Sequence, residues 1–235
     1  MTPQKYSIEY TFNTRSIAHS FIDLIRDFSR KKGKTKETMG FMVADKETLL
    51  NYLQVLDRDL ESFFQSEDRL IKVNSPAYVF GDIFGNLDDL LCFEKLLWQP
   101  FPIVSSHYVF LGNYVDKGNW GIECAIYLLA LKIISPMKFM LLRGNHETRE
   151  VNTKDGFLKE CVAKYGEQDG TKICEVINCI FDKMPFAAII DESIFCSHSG
   201  LPISAHKAEE VNKVSSDLKN PEKNPIASEV WPLKR

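Results

Sequence analysis

The strongest constraint on the fold is an alternation of short strand-like runs with helical patterns, which begins near residue 69. The strand-like runs cover residues 77–81, 108–111 and 138–142, followed by two runs at 186–190 and 194–196 that are typical of a hairpin. Helical patterns cover residues 87–97, 121–134, 155–164 and 173–181. Strands that alternate with helices in this way form mostly parallel sheets with helices packed on them. The sequence therefore predicts an α/β fold with a central β-sheet and flanking helices.

Two amphipathic helices are predicted before this alternation, over residues 17–28 and 49–64. We expect residues 1–45 to form an N-terminal extension, partly helical or disordered, whose helix packs on the main body. A basic run over residues 30–36 follows that helix and is typical of a solvated loop. After residue 205 the chain is polar and interrupted by prolines, which predicts mostly loop with room for one helix.

Charge and composition argue against several classes of protein. With 29 basic and 32 acidic residues the net charge is −3, which does not favour a nucleic-acid-binding protein. The N-terminal residues lack the apolar core of a signal peptide, and the best apolar run, residues 124–134, is interrupted by Lys132, so no membrane span is predicted. None of the six cysteines forms a C-x-x-C pair. We therefore expect reduced thiols and a cytoplasmic or nuclear protein, or one found in both compartments.

Polar residues stand directly after the predicted strands. These are Asp82 after the first strand, Asn113 and Asp116 after the second, Asn145 and His146 after the third, and His198 after the hairpin. Loops beyond the carboxyl ends of parallel strands converge on one crevice, so we expect these six side chains to meet. Oxygen and imidazole donors without thiolates suit Mn²⁺, Zn²⁺ or Fe²⁺. Taken singly, each segment has a simpler explanation as a turn, a helix N-cap or a hydrogen-bonded core histidine.

Four segments carry a resemblance to a known family: GDIFG at residues 81–85, GNYVDKG at 112–118, LLRGNHE at 141–147 and CSHSGLP at 196–202. They resemble the Gly-Asp-x-His-Gly, Gly-Asp-x-Val-Asp-Arg-Gly, Arg-Gly-Asn-His-Glu and His-Gly-Gly-Leu segments of the metal-dependent phosphoprotein (Ser/Thr) phosphatases, close to types 1 and 2A. The resemblance extends over roughly residues 50–232.

This resemblance implies a calcineurin-like metallophosphatase fold, an α/β/β/α sandwich in which the second sheet of this chain is incomplete. Residues 46–235 would form a Ser/Thr phosphatase-like (metallophosphoesterase) domain that is truncated at its C-terminus relative to the family. The resemblance also implies a phosphoprotein substrate or regulatory protein subunits as partners, and neither nucleic acid nor a membrane.

A two-metal site is a further implication of the resemblance, with Mn²⁺, or iron and zinc, as the cofactor. The metal ligands carried over to this chain are Asp82, Asn113, Asn145 and His198. Two positions depart from the family pattern, because Phe84 replaces a histidine ligand and Asn113 replaces the aspartate that bridges the two metals. A phenyl ring cannot coordinate a metal, and a neutral amide bridges two cations poorly. A sixth ligand has no counterpart in the sequence, so we expect fewer than two tightly bound metals.

The reaction chemistry is likewise implied by the resemblance. His146 and Asp116 match the family's catalytic pair, in which the imidazolium protonates the leaving alkoxide and the carboxylate orients the ring. Lys117 replaces a phosphate-binding arginine, which keeps the positive charge and loses the bidentate geometry. Asn145 is expected to contact phosphate in addition to metal.

Three hypotheses about function remain open. A weakly active phosphatase, or a pseudophosphatase that binds phosphoproteins or protein partners, is favoured by Phe84 and Asn113. An active Ser/Thr phosphatase is favoured by the unaltered Asp116, Asn145 and His146. A chain without a stable fold is favoured by the missing part of the second sheet. We predict the first of these, with the active metal-dependent phosphatase as the alternative.

Overall fold

Two three-stranded sheets are formed by the strands of the described residues. The computed structural model describes residues 16–31, 45–98, 105–215 and 217–230. Its strands are β1 (Leu70–Val73), β2 (Ala77–Phe80), β3 (His107–Phe110), β4 (Phe139–Leu141), β5 (Ala187–Ile190) and β6 (Ile194–Ser197). The first sheet has the order β2-β3-β4 and is entirely parallel. In the second sheet, of order β1-β5-β6, β1 runs parallel to β5, and β5 pairs with β6 as the predicted antiparallel hairpin.

The residue patterns do not predict β1, and two sheets are predicted only through the family resemblance. β1 has only four residues, and the exposed Lys72 stands between the buried Ile71 and Val73, so its apolar signal is weak. The partner of β1 is β5, which lies far along the chain. No local pattern indicates which of several similar strands share a sheet, because that depends on long-range pairing.

Eight α-helices lie within the described residues. They are α1 (Ile17–Lys31), α2 (Lys46–Ser66), α3 (Leu87–Phe93), α4 (Gly121–Ile134), α5 (Arg149–Asp155), α6 (Phe157–Tyr165), α7 (Glu167–Lys183) and α8 (Pro225–Val230). The helix predicted over residues 155–164 is wrong at its start, because the helical conformation is interrupted at Gly156. The φ angle of Gly156 is 139°, a conformation that glycine adopts readily. The chain therefore changes direction here, and α5 and α6 are separate helices.

A layer of helices covers one face of the first sheet. Phe80, Tyr108 and Phe110 point into this layer, and the ring centroids of Phe80 and Phe110 are 4.5 Å apart. α4 is buried on all sides as far as Lys132, which accounts for its almost continuous apolar sequence. α1 packs against α4, with the side chain of Phe21 fully buried. The helix predicted near the N-terminus is therefore part of the main core.

Two further layers complete the sandwich. The sheets pack against each other through apolar side chains that include Val109 and Met140 on the first sheet and Ala188 and Ile190 on the second. The outer face of the second sheet is covered by apolar residues from the last part of the described chain, namely Val211, Val214, Ala227 and Val230. Short 3₁₀ turns and α8 make up this covering segment. The order helices, sheet, sheet, covering segment confirms the predicted fold class.

Some expectations concern residues outside the described ranges. Residues 1–15 and most of the basic run over residues 30–36 are among them. The boundary at residue 45 therefore stays a prediction. No helix in the described ranges is both long and apolar enough to cross a membrane.

Candidate functional site

The loops that follow β2 and β3 are joined to each other through their main chains. The N–H groups of Ile83 and Phe84 both donate to the carbonyl oxygen of Asn113, at 3.0 and 2.8 Å. Gly85 N donates to the carbonyl oxygen of Tyr114 at 2.9 Å. These bonds extend the contact between the neighbouring strands β2 and β3 beyond their ends, so the two predicted site loops have a defined relative position.

Four residues of these loops adopt the left-handed backbone conformation that favours glycine. The φ angle is 47° at Phe84, 59° at Asn113, 67° at Asp116 and 58° at Lys117. Each residue of this kind costs about 1–3 kcal/mol and persists only where the surrounding structure enforces it, most often at functional sites. The surrounding structure therefore enforces this loop geometry, including at Phe84, where the side chain departs from the pattern that the resemblance implies.

The side-chain amide of Asn113 has both ends engaged. Its Oδ1 accepts a hydrogen bond from His146 N at 3.2 Å, and its Nδ2 donates to Asp82 Oδ2 at 3.3 Å. A main-chain N–H can only donate, so the amide oxygen must face His146 and the NH₂ group must face Asp82. An NH₂ group has no lone pair to offer a metal. Asn113 therefore presents a hydrogen-bond donor where a bridging ligand would present an oxygen.

His198 and Asn145 bind each other. His198 Nε2 lies 2.9 Å from Asn145 Oδ1, and because an amide oxygen only accepts, the histidine donates from Nε2. Its other nitrogen, Nδ1, is buried without a hydrogen-bond partner and lies 3.9 Å from Asp82 Oδ1. Burial lowers the pKa of His198, and the charge of Asp82 offsets this only in part. Asn145 and His198 therefore hold each other in place beside Asp82.

The structure thus brings the polar residues at the strand ends together, but their atoms do not fit a two-metal centre. The oxygens of Asn113 and Asn145 each accept a hydrogen bond from a neighbouring residue, and Asp82 Oδ2 accepts one from Asn113. Within the described ranges no group of three or more His, Cys, Asp or Glu side chains is arranged to hold a metal ion. Catalytic metal sites generally have three protein ligands. Among these residues Asp82 and His198 supply a carboxylate and an imidazole, and a third ligand would have to be an amide oxygen of Asn113 or Asn145 that now accepts a hydrogen bond.

The predicted catalytic pair is well formed. His146 Nδ1 lies 2.7 Å from Asp116 Oδ2, and both side chains are buried. Asp116 Oδ1 accepts a hydrogen bond from Phe157 N at 2.6 Å, so the carboxylate has a fixed orientation. Asp155 Oδ2 lies 3.8 Å from the same imidazole nitrogen. An imidazole oriented in this way can donate or accept a proton at its other nitrogen.

Phe84 and Lys117 form a contact that motif matching does not indicate. Lys117 Nζ lies 3.5 Å from the centroid of the Phe84 ring, a cation–π geometry. The Phe84 ring meets the ring of His146 edge-on, with centroids 5.0 Å apart. Phe84 therefore contacts both Lys117 and His146, and the resemblance implies a histidine ligand at position 84 and a phosphate-binding arginine at position 117.

Glu147 is a structural residue of the site to which the sequence analysis assigns no role. Its buried carboxylate accepts hydrogen bonds from the N–H groups of Asn113, Tyr114 and Gly144 at 2.7, 2.8 and 3.0 Å. Burial raises the pKa of Glu147, and these three donors act against that rise. Glu147 therefore fixes the loop after β3 to the loop after β4. The sequence did contain a signal for this role, because Glu147 ends the LLRGNHE segment, in which Asn145 and His146 already have assigned roles.

Comparisons with known proteins identify the family of this chain. A family model for the calcineurin-like phosphoesterases matches residues 75–234. The catalytic subunit of serine/threonine-protein phosphatase 6 from Drosophila melanogaster is 36% identical over 166 residues, which are 70% of this chain and 52% of that protein. The PP2A-like serine/threonine-protein phosphatase PPG1 from Saccharomyces cerevisiae is 32% identical over 172 residues, 73% of this chain and 45% of that protein.

A solved structure shares the fold. It is a protein serine/threonine phosphatase from Saccharomyces cerevisiae, described as similar to human phosphatase PP5, with a TM-score of 0.68 at 24% identity. The match covers 77% of this chain and 58% of that one. The chain spans about half the length of the curated relatives it matches. The family model, the shared fold and these sequence similarities show that the chain belongs to the calcineurin-like phosphoesterase family, in its serine/threonine phosphatase branch.

Proposed function

We propose that this chain is a phosphoprotein-binding member of the Ser/Thr phosphatase family with a degenerate dimetal site, and that its hydrolytic activity is weak or absent. The observation that carries the proposal is the orientation of the Asn113 amide, whose NH₂ group faces Asp82. Loss of even an outer partner of a metal ligand costs roughly 10–100-fold in metal affinity or activity. The changes at Phe84 and Asn113 affect the ligands themselves, so a larger loss is expected.

Binding without turnover is supported by what the site retains. The left-handed conformations at Phe84, Asn113, Asp116 and Lys117 are energetically costly, yet the loops keep them. The imidazole of His146 remains oriented by Asp116. Costly backbone conformations of this kind are found mostly at functional sites, which favours a binding role for this surface. The partners proposed are phosphoproteins or regulatory protein subunits, in the cytoplasm, the nucleus or both.

An active metal-dependent phosphatase that hydrolyses phosphoserine or phosphothreonine is the second candidate. It is favoured by the His146–Asp116 pair, which has the geometry of a general acid with its orienting carboxylate. Asp82, Asn145 and His198 are also the residue types of the family pattern. For metal binding, Asn145 and His198 would have to give up their mutual hydrogen bond.

Two measurements on a phosphoserine peptide separate these candidates. Binding is measured by fluorescence anisotropy, and phosphate release is measured with added Mn²⁺; we expect binding with no release above that of the His146→Ala variant. Elemental analysis after dialysis against a mild chelator should find fewer than two transition metals per chain. Release that depends on both Mn²⁺ and His146 would establish the active enzyme instead. A failure to bind any phosphopeptide would overturn both candidates.

A further inference from the structure

β2 forms an open edge of the first sheet. Within the described residues it pairs with β3 alone. His107 N and Leu111 N donate to the carbonyl oxygens of Pro76 and Phe80, both at 2.9 Å, so the even-numbered residues of β2 face β3. The N–H and C=O groups of Val79 point the opposite way and have no hydrogen-bond partner in the described part of the chain. Unpaired main-chain groups of this kind are a template for a further strand.

The side chains along this edge are exposed, although those beside them on β3 are buried. Val79 is 47% exposed, whereas its register partner Val109 is fully buried between the two sheets. On the other face Tyr78 is 45% exposed, and its partner Tyr108 is buried. Two residues after Val79, a Cβ atom on Gly81 would have no contact within 4 Å beyond its chain neighbours. The described residues therefore leave the outer side of β2 uncovered.

The gap between the two sheets is open at the same place. β6 is an edge strand of the second sheet, and its first residue Ile194 is 58% exposed, while the register partner Ile190 is buried between the sheets. The residues that follow β2 and β6 meet, since Asp82 Oδ1 lies 3.9 Å from His198 Nδ1. β2 and β6 therefore border the same side of the sandwich, with an exposed apolar side chain on each.

One segment outside the described residues has the pattern of a strand that would fit this edge. It is residues 6–12, whose apolar members alternate with polar ones, namely Tyr6, Ile8, Tyr10 and Phe12 against Ser7, Glu9 and Thr11. Aromatic and β-branched residues at a period of two are typical of a strand with one buried face. Residues 99–104 and 231–235 contain prolines, which lack the N–H group that a strand donates, and residues 32–44 have no such alternation.

The position of α1 allows this segment to reach β2. α1 packs along α4, and the ring of Phe28 near its end lies against Trp120, which directly precedes α4, with centroids 5.1 Å apart. Because α4 begins beyond the end of β3, α1 begins toward the opposite edge of the sheet, where β2 starts. Phe12 and Ser16 are four residues apart, and extended chain of that length spans up to about 14 Å.

We infer that residues 6–12 add to β2 of the same chain as an antiparallel edge strand. The face that carries Ile8 covers Val79 and Ile194, and the face that carries Ser7 points to solvent. The inference does not depend on the proposed phosphoprotein-binding function. Such a strand would hold the end of β2 from which Asp82 projects, and it would remove an apolar sheet edge that otherwise invites association between chains.

The test is the hydrogen-exchange rate of the Val79 amide in the full chain, resolved from its neighbours by mass spectrometry with electron-transfer fragmentation. Ile8→Lys should speed exchange at Val79 by at least about tenfold, because a charge on the buried face detaches the strand that accepts this hydrogen bond. Ser7→Lys is the matched control, since it adds the same charge to the adjacent residue on the polar face, and it should leave the rate near that of the parent.

The Phe80 amide is the internal control for the fold. It faces β3 whether or not a strand is added, so its exchange should stay slow in the parent and in both variants. Sedimentation velocity at two protein concentrations gives the oligomeric state under the conditions of the exchange experiment.

Each outcome supports or overturns the inference. Faster exchange at Val79 in Ile8→Lys alone, in a monomer, would support it. A parent whose Val79 amide exchanges as fast as that of Ile8→Lys would show that the edge is open and would overturn it. Equal acceleration in Ser7→Lys and Ile8→Lys would overturn the assignment of faces on which the strand depends. Protection that is lost on dilution together with a dimer would place the strand of a second copy on β2 and would overturn pairing within one chain.

Discussion

Replacing Asn113 with aspartate should destabilise the metal-free protein, because the group that faces Asp82 changes from an N–H donor to a charged oxygen. In the present structure Asn113 Nδ2 lies 3.3 Å from Asp82 Oδ2. Two unit charges at such a distance repel by about 5 kcal/mol at an effective dielectric constant of about 20. Because the side chain of Asp82 is 43% exposed, solvent reduces this repulsion to about 1–2 kcal/mol. The lost hydrogen bond to a charged acceptor adds about 1.5 kcal/mol.

The total is about 3 kcal/mol, which lowers the melting temperature of a chain of this size by roughly 6–12 °C. Thermal unfolding in EDTA measures this loss. Addition of Mn²⁺ should then raise the melting temperature of Asn113→Asp, because a cation between two carboxylates removes their repulsion and binds only the folded chain. The parent should show no comparable rise.

The control for this prediction exchanges the two residues. The double variant Asp82→Asn with Asn113→Asp again pairs an amide with a carboxylate, so it should melt near the parent temperature in EDTA. A single variant that melts like the parent in EDTA would refute the amide orientation on which the reasoning depends. A rise with Mn²⁺ in the parent as large as that in Asn113→Asp would show that the amide does not prevent metal binding.

Three further outcomes are expected. Glu147→Gln places an NH₂ group against main-chain N–H groups whose hydrogen bonds the carboxylate accepts in the parent. The variant should lower the free energy of unfolding, measured in urea, by about 2–3 kcal/mol. Dialysis of the parent against EDTA should leave its melting temperature unchanged, since the donor set does not fit a metal; a clear drop would contradict this. Asp182→Ala removes a carboxylate that lies 2.9 Å from the buried guanidinium of Arg143, and should cost about 3–5 kcal/mol. The exposed Asp59→Ala is its control, with little change in the urea midpoint.

Much of the fold could be predicted because its signals are local. The apolar periodicity around Phe21 marks a helix, and the length of the almost continuous apolar run in α4 favours a helix over a strand. The alternation of strands and helices fixes the direction of neighbouring strands, and this direction brings the residues after the strands to one edge of the sheet. That rule places Asp82 beside Asn113 from the chain order alone. His198 follows the antiparallel strand β6 of the other sheet, so its position near Asp82 depends on how the two sheets pack.

Other features depend on contacts that no local pattern contains. β1 is identified by its pairing with β5 and not by its four residues. The break at Gly156 depends on a backbone angle that a glycine permits but does not require.

The side chain of Asn113 shows both kinds of feature, one that is local to the sequence and one that depends on tertiary contacts. The sequence alone determined that residue 113 is an asparagine, where the resemblance implies a bridging aspartate, and so that a negative charge is absent. Only the tertiary structure decided which end of that amide faces Asp82, because the N–H group of His146, more than thirty residues away, takes the amide oxygen. A hydrogen-bond donor must meet an acceptor, and the position of that donor is set by the packing of the whole chain.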